Sequence, residues 1–487
     1  MHTMAPIHFT LAHWAFLLSV LAILISMTMR KGVVIPSICG IFLVGLLGYR
    51  GGGGVLDTVI YAVQVVFKAL LNAGTSLFDI MLIIALMFAM LRSLQAQGAD
   101  QIMIAPLRKL IRGPRSAFFV LAVTMYLASA FFWPTPAVAL VGTILIPVAA
   151  GVGYPALAAA VVLNLAGDAM ALSADPVIQG ATRLSSGAAG IAPAQLYPYT
   201  LVLSLICGGV AIALGGLAIR RDMRRGVLTD STAQDSVPVV GHAESKSAET
   251  IAKARSARLT AVVVPIVLFA VIGLMISRLA APGSDDRIVG GAATALLGGT
   301  ATILLVFSTI AEHGHHAMDN VVVHIREGFL FSFRIFAPII PIAGFFFLGN
   351  PEHAAAVMGK GTPGFLFDFG NYIGRHLDGN PWLLSFGMTF IGMLISLDGS
   401  GFAGLPLTGS LAGALGAGAG LNVAALAALG QVATIVSATT LVAWSFPAVA
   451  VAGVAGVPTP EMVRRNVVPC TVGLLLITIV TAIMISR

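Results

Sequence analysis

The sequence predicts an all-α polytopic membrane protein built from two helical repeats, the second inverted relative to the first. Three observations carry that expectation. The chain is 58% hydrophobic and 10% charged, with long unbroken apolar runs. Its two halves match sparsely at one fixed offset, and corresponding loops carry opposite charge. The apolar runs approach the ~20 residues a helix needs to cross the hydrocarbon. They do not alternate as barrel strands would, so helices are expected. A mean hydropathy of +0.97 and 54 glycines suit close helix packing in lipid.

A net charge of +7 does not point to nucleic acid here, because the basic residues flank apolar runs, where they set topology. Cys39, Cys207 and Cys470 lie within apolar runs and have neither disulfide nor metal spacing. The N-terminus lacks a basic stretch and a small-residue cleavage site, so 9–29 reads as a retained first helix. Further spans in the first half are expected at 33–49, 75–94, 116–132, 137–150, 156–173 and 197–219. The polar stretch 220–258 reads as a flexible linker. The second half offers 259–277, 288–307, 331–348, 382–397, 403–417, 423–440 and 467–486.

Sliding the chain by 267 positions superposes Pro114 on Pro381, Phe119 on Phe386, Ser129 on Ser396 and Leu140 on Leu407. The same shift pairs Gly142 with Gly409, Gly151 with Gly418, Gly153 with Gly420 and Pro193 with Pro460. Glycine and proline fix helix ends and turns, so their coincidence weighs most. This divides the chain into a first repeat, 1–219, the linker, 220–258, and a second repeat, 259–487.

Charge tests the relation independently. The linker opens with Arg220, Arg221, Arg224 and Arg225 and closes with Lys253, Arg255 and Arg258, which makes it cytoplasmic. Arg30-Lys31 is then internal, whereas the corresponding Asp285-Asp286-Arg287 loop is external. Arg92, Arg108, Lys109, Arg112 and Arg115 outweigh Asp100, but Glu352, Asp368 and Asp378 outweigh Lys360 and Arg375. Arg464-Arg465 corresponds to the uncharged stretch 187–195. Three reversals are what an inverted repeat predicts.

Both termini are then external, and the protein is expected in a bacterial inner membrane. Each repeat is expected to hold a re-entrant hairpin followed by one interrupted helix. The hairpin tips are Trp133-Pro134-Thr135-Pro136 and Asp398-Gly399-Ser400-Gly401-Phe402, and the interruptions fall at 174–176 and 437–440. Segments 55–72, 102–111, 319–328 and 352–375 read as amphipathic helices on the membrane surface.

Interrupted helices in inverted repeats point to a secondary transporter, with substrate and coupling ion near the midplane. Asp168 and Asp175 stand in Asn164-Leu-Ala-Gly-Asp168-Ala-Met-Ala-Leu-Ser173-Ala-Asp175-Pro176. A carboxylate at membrane depth is costly and therefore a functional candidate. Asp168 is expected to bind the coupling ion; Asp175 either does so or caps the half-helix after Pro176. Asp398, beside Ser400, either holds a cation or proton or makes an Asp-Gly turn.

Substrate contacts are expected from Thr135, Ser173 and Ser400, and from the corresponding pair Asn164 and Gln431. The hydroxyls of Ser437, Thr439 and Thr440 either bond a substrate carboxylate or satisfy their own backbone. Arg183 either pairs with an anion or anchors an interface. Asp79 and Arg334 begin corresponding helices with opposite charge, and an ion pair between them is conceivable. The stretch from Glu312 to Asp319 holds three histidines without a second ligand cluster, so a solvated face is expected. With neither metal spacing nor a nucleophile triad, no enzyme is expected.

The pattern resembles the ion transporter superfamily, which includes the gluconate, lactate and C4-dicarboxylate permeases and the divalent-anion symporters. Gly456-Val-Pro-Thr-Pro-Glu-Met-Val-Arg-Arg-Asn466, followed by an apolar helix, is similar to the last loop and helix of such permeases. The divalent-anion symporters carry Ser-Asn-Thr at both tips, where this chain has Pro134-Thr-Pro136 and Ser400-Gly401. The resemblance implies a homodimer with an elevator-like moving domain. The expectation is a symporter of a small organic anion such as a carboxylate, driven by H+ or Na+ and needing no other cofactor. The alternative is a cation/proton antiporter of the same superfamily.

Overall fold

Prolines and glycines set most helix boundaries in this chain. The computed structural model describes residues 9–29, 31–49, 51–228, 255–280, 291–314, 317–376, 379–399 and 401–486. The Asp285-Asp286-Arg287 loop, Ser400, His315 and His316, and most of the linker lie outside the described residues.

Helices α1 (Leu11–Thr28) and α2 (Val34–Leu47) pack as a pair. Next, α3 (Val55–Ala96) runs unbroken for 42 residues. The expected surface helix at 55–72 is therefore the first part of α3. No proline interrupts it, and Ala62, Val65 and Ala69 are buried along it. The short α4 (Ala99–Arg108) leads to the pair α5 (Pro114–Phe132) and α6 (Pro134–Gly151), which meet at Trp133 and pack on each other. Helix α7 (Ala156–Asn164) passes directly into a π-helical segment, Leu165–Leu172. After a break at 175–179 come α8 (Gly180–Ala189) and the long α9 (Pro193–Arg224).

The second half opens with α10 (Arg255–Ala280) and α11 (Gly291–His313). Then α12 (Ala317–Phe336) and α13 (Ile339–Phe347) meet at a 50° bend. The expected span at 331–348 is thus bent at Ala337-Pro338, where proline lacks the donor that would continue the ladder. The expected surface helix at 319–328 is part of α12, which lies along α3 with Gly328 against the Ala85 carbonyl. Segment 352–375 forms two helices, α14 (Pro351–Met358) and α15 (Phe365–His376). Instead of lying free on the surface, α15 packs on α17 (Leu405–Gly418) with Gly370 against the Ala414 backbone. The remaining helices are α16 (Pro381–Ile395), α18 (Val423–Thr440), α19 (Phe446–Ala455) and α20 (Thr459–Ile485).

Among the described residues, eight helices are long and apolar enough to cross a bilayer, or nine counting the bent pair. The offset of 267 recurs in helix boundaries. Pro114 and Pro381 open α5 and α16, Ala156 and Val423 open α7 and α18, and Gly151 and Gly418 close α6 and α17. Proline suits a first helical position because its missing donor has no partner there. Gly153 and Gly420 follow at φ +79° and +67°, the left-handed conformation that ends a helix cheaply only as glycine.

The returning arm of each hairpin packs on the half-helix of the other half. Gly142 of α6 faces Val454 of α19, and Gly409 of α17 faces the Ser185 carbonyl of α8. A β-carbon on Gly409 would stand 2.5 Å from that oxygen. Gly409→Leu is therefore expected to lower thermal stability in detergent, by about 1–3 kcal/mol as overpacking does. Gly387→Leu, at a helical position with open space around it, serves as the control. Equal unfolding temperatures for the two variants would contradict the crosswise packing.

Candidate functional site

The two tips and two breaks come together in the core. Trp133, at the first tip, is buried and lies against Phe402 of the second tip, with ring centroids 5.1 Å apart. Phe336, at the end of α12, stacks on its other side at 6.4 Å. Among described non-glycine residues only Trp133, Asp175 and Gln179 have positive φ, at 66°, 41° and 59°. All three belong to the first tip and first break, so backbone strain is concentrated there.

A tryptophan stands between each tip and the break of its own half. The Trp133 ring lies beside Gly180, just past the first break, and its Nε1 has no partner. At the second break Trp444 donates from Nε1 to the Leu397 carbonyl, 3.1 Å away, just before the second tip. Gly399 sits close against Ser445, where only a glycine leaves room. The side chain of Asp398 lies outside the described residues; its backbone closes a short 3-10 turn, Ser396–Asp398.

Deeper in, one carboxamide joins three helices. Asn164 is fully buried and donates from Nδ2 to Asp168 Oδ2 (2.8 Å) and to the Thr439 carbonyl of α18 (3.1 Å). Its Oδ1 accepts from Asn466 Nδ2 of α20 at 2.7 Å, and Asn466 also donates to the Thr440 carbonyl at 3.3 Å. Gln431 of α18 donates in the opposite sense, to the Ser173 carbonyl at 3.0 Å. Each amide lies midway along its own run and bonds the last turn of the other. The C-terminal halves of 156–174 and 423–440 therefore cross antiparallel.

Asp168 is fully buried, and its Oδ1 has no partner. Gln431 Oε1, Asn466 Oδ1, Ser437 Oγ and Ser129 Oγ are likewise buried without partners. Among the described residues no lysine or arginine is buried. Of the unpartnered atoms, Asp168 Oδ1, Gln431 Oε1 and Asn466 Oδ1 can only accept, whereas the serine hydroxyls can also donate, and Trp133 Nε1 is an unpartnered donor nearby. A buried acceptor without a partner is unfavourable, so such a set suits a proton, a cation or a donor-bearing ligand. The π-helical segment starts directly after Asn164 and carries Asp168; such segments shift the backbone register and recur at functional sites.

Asp175 is also buried, and its Oδ2 accepts from the Ala181 amide at 3.0 Å, in the first turn of α8. That is a capping contact. Ser173 donates to the Ala169 carbonyl at 2.5 Å and meets Ser204 of α9 at 2.7 Å. Thr135 is half-buried at the start of α6. The helix α18 continues through Thr440 and the break falls at 441–445, so Ser437, Thr439 and Thr440 occupy its last turn rather than an interruption. Thr439 and Thr440 donate to the Ile435 and Val436 carbonyls at 2.8 and 2.6 Å, and Ser437 Oγ alone of the three is left over.

Arg183 of α8 pairs with Asp79 of α3 and donates to Thr294 of α11 at 3.0 Å. Asp79 thus meets Arg183 and not Arg334, because α8 lies against that stretch of α3. Among the described residues no group of His, Cys, Asp or Glu could hold a metal ion. Sequence reasoning missed Asn466, which stands as a lone carboxamide just inside the apolar run after Arg464-Arg465. It also missed Ser204 and the indole of Trp133.

Asn164→Ala leaves Asp168, the Asn466 amide and the Thr439 carbonyl each short of a partner, at about 1–3 kcal/mol per orphaned group. Thermal unfolding should fall by several degrees, against little change for Thr135→Ala. Asp175→Ala should cost about 0.5–2 kcal/mol by loss of the cap, read on the same melting curves.

No family model matches the chain. It is 31% identical over 477 residues to the uncharacterised membrane protein YhfA of Bacillus subtilis (strain 168), covering 97% of this chain and 98% of that one. Two solved structures share the fold at low identity. Neisseria gonorrhoeae MtrF, described within a class of antimetabolite efflux pumps, is 13% identical with a TM-score of 0.55, covering 98% of this chain and 95% of its own. The Alcanivorax borkumensis YdaH transporter is 14% identical with a TM-score of 0.53, covering 98% of both chains.

Proposed function

We propose that this chain, which belongs to the family of the Bacillus subtilis membrane protein YhfA, is a secondary active transporter that couples movement of a small organic anion to H+ or Na+. The observation that carries the reading is Asp168: a fully buried carboxylate with a free oxygen, at the crossing of two interrupted helices. An ionisable group there is costly unless it is used. The fold shared with two transport proteins supports the same reading.

In this proposal 1–219 and 259–487 are inverted repeats, and the linker at 220–258 is cytoplasmic. The recurring boundaries and the antiparallel crossing at Asn164 and Gln431 support the inversion. Asp168 takes up and releases the coupling ion. Asn164 then senses it, because its Nδ2 serves both Asp168 and the Thr439 carbonyl. Loading Asp168 weakens its hold on Asn164 and so changes the contact between the two halves. The substrate sits between the tips, within reach of Thr135 and Ser437, with Trp133 and Phe402 covering it. Asp175 orders the first break as a cap, and Ser173 and Gln431 hold the crossing together. The protein works as a homodimer in the bacterial inner membrane, as in the ion transporter superfamily it resembles.

A second reading, a cation/proton antiporter, is favoured by the unpartnered oxygens of Asp168, Gln431 and Asn466 and the lack of a buried lysine or arginine among the described residues. Cation-dependent pH changes in vesicles without any organic anion would select it. For the leading reading, Asp168→Asn is expected to abolish gradient-driven uptake in proteoliposomes while the protein still purifies as a folded species. Full retention of coupled uptake would remove Asp168 from the mechanism.

A further inference from the structure

We infer that the groove between α9 and α20 is the route by which the coupling cation reaches Asp168 from the face that carries the linker. The inference rests on the coupling role given to Asp168 above. The two helices touch where Gly473 lies against the backbone of Cys207. They part toward the linker, where Arg465 of α20 reaches across to Asp222 of α9. Between these points lies a cavity of about 450 Å³. Its walls are Leu214, Ala218 and Asp222 on one side and Arg465 and Pro469 on the other, with Val161 of α7 at its floor.

The position of that floor gives the cavity its meaning. One helical turn beyond Val161 stands Asn164, and next to Arg465 stands Asn466. The two amides are bonded to each other at 2.7 Å, and Asn164 is bonded to Asp168 at 2.8 Å. Val161 thus brings the cavity wall to within one helical turn of the Asn164–Asn466 pair, which stands as a partition before the buried carboxylate. Asp168 itself is fully buried, so the partition is closed.

At the mouth Arg465 binds both Asp222 and Glu461, the second at 3.2 Å, and Arg464, which also lines the cavity, holds Glu461 at 2.8 Å. An arriving cation competes with the guanidinium for those carboxylates. Arg465 Nε has no partner, so the guanidinium is not fully committed to its present contacts. Pro469 removes the amide that would pair with the Arg465 carbonyl in a regular helix. That oxygen becomes a further waypoint for a hard cation. Asn466 is a positioning residue in this scheme: it acts on Asp168 only through Asn164.

Accessibility tests the route without requiring transport. Leu214→Cys is made in a chain whose exposed Cys39 is replaced by serine; Cys207 and Cys470 are buried. A membrane-impermeant trimethylammonium thiosulfonate applied from the linker face should modify the new thiol. Reaction with a lipid-soluble maleimide alone would mean that the groove is filled by acyl chains, and would overturn the proposal. Ala218→Cys repeats the test should Leu214→Cys fail to fold. Asn466→Ala is expected to raise substrate-free H+ or Na+ leak several-fold in proteoliposomes, and Asp222→Asn to weaken the apparent affinity for the cation on the linker face. If neither the leak nor the affinity changes, the groove is not the route. Modification at Leu214→Cys together with unaltered coupling in Asp168→Asn would leave the groove open to water but refute the role of Asp168.

Discussion

The carboxamide of Asn164 holds the core together. Inside a bilayer there is no water to finish an incomplete hydrogen-bond set, so every buried polar group must be served by the protein. Asn164 serves three at once: the Asp168 carboxylate, the last turn of α18 and the amide of Asn466 on α20. Its donors go to the Asp168 carboxylate and the Thr439 carbonyl, and its oxygen is taken by Asn466, so three chain segments are fixed by one side chain while Asp168 Oδ1, Gln431 Oε1 and Asn466 Oδ1 stay unpartnered.

The remaining architecture keeps that junction in register. Each hairpin leans on the half-helix of the opposite half, through Gly142 on α19 and Gly409 on α8. These glycines are related by the same offset that relates the helix starts; Gly409 lets backbones approach at a crossing, and Gly142 makes room for the Val454 side chain. The second tip is held to its break by the Trp444 indole, while at the first tip Trp133 lies beside Gly180 at the start of α8. The frame is therefore symmetric in its packing and asymmetric in its chemistry. Strain follows the chemistry: among the described residues, the three non-glycine positions with positive φ all lie in the first half.

Much of the frame was legible in the sequence because glycine and proline write backbone geometry directly. The ends of α5, α6, α16, α17 and α18 fall within a few residues of expectation, and the match of Gly142 to Gly409 has a packing cause. The failures have physical causes too. The break after α18 was placed on Ser437, Thr439 and Thr440, yet hydroxyls that bond their own preceding turn continue a helix. Segment 55–72 was separated from 75–94 by its polar face, although nothing in it stops a helix. In the site, Asp168, Asn164 and Gln431 were visible as polar residues in apolar runs. Asn466 was overlooked beside two arginines, whose topological role drew attention away from the amide that follows them. Which oxygens remain free depends on contacts across the fold, and no local pattern records that.

Helix α3 has a consequence for the membrane itself. Its 42 residues span about 63 Å at 1.5 Å per residue, roughly twice the hydrocarbon thickness of about 30 Å. Val55, Leu56, Val63 and Phe67 are exposed along its first third, an apolar face suited to lipid rather than water. A helix longer than the hydrocarbon is accommodated by tilting and by deforming the surrounding bilayer, each at a fraction of a kcal/mol per Å. Acyl-chain length thereby enters the energetics of the protein. A thinner membrane leans α3 further over, and α11, α12 and α13, which are packed along it, lean with it.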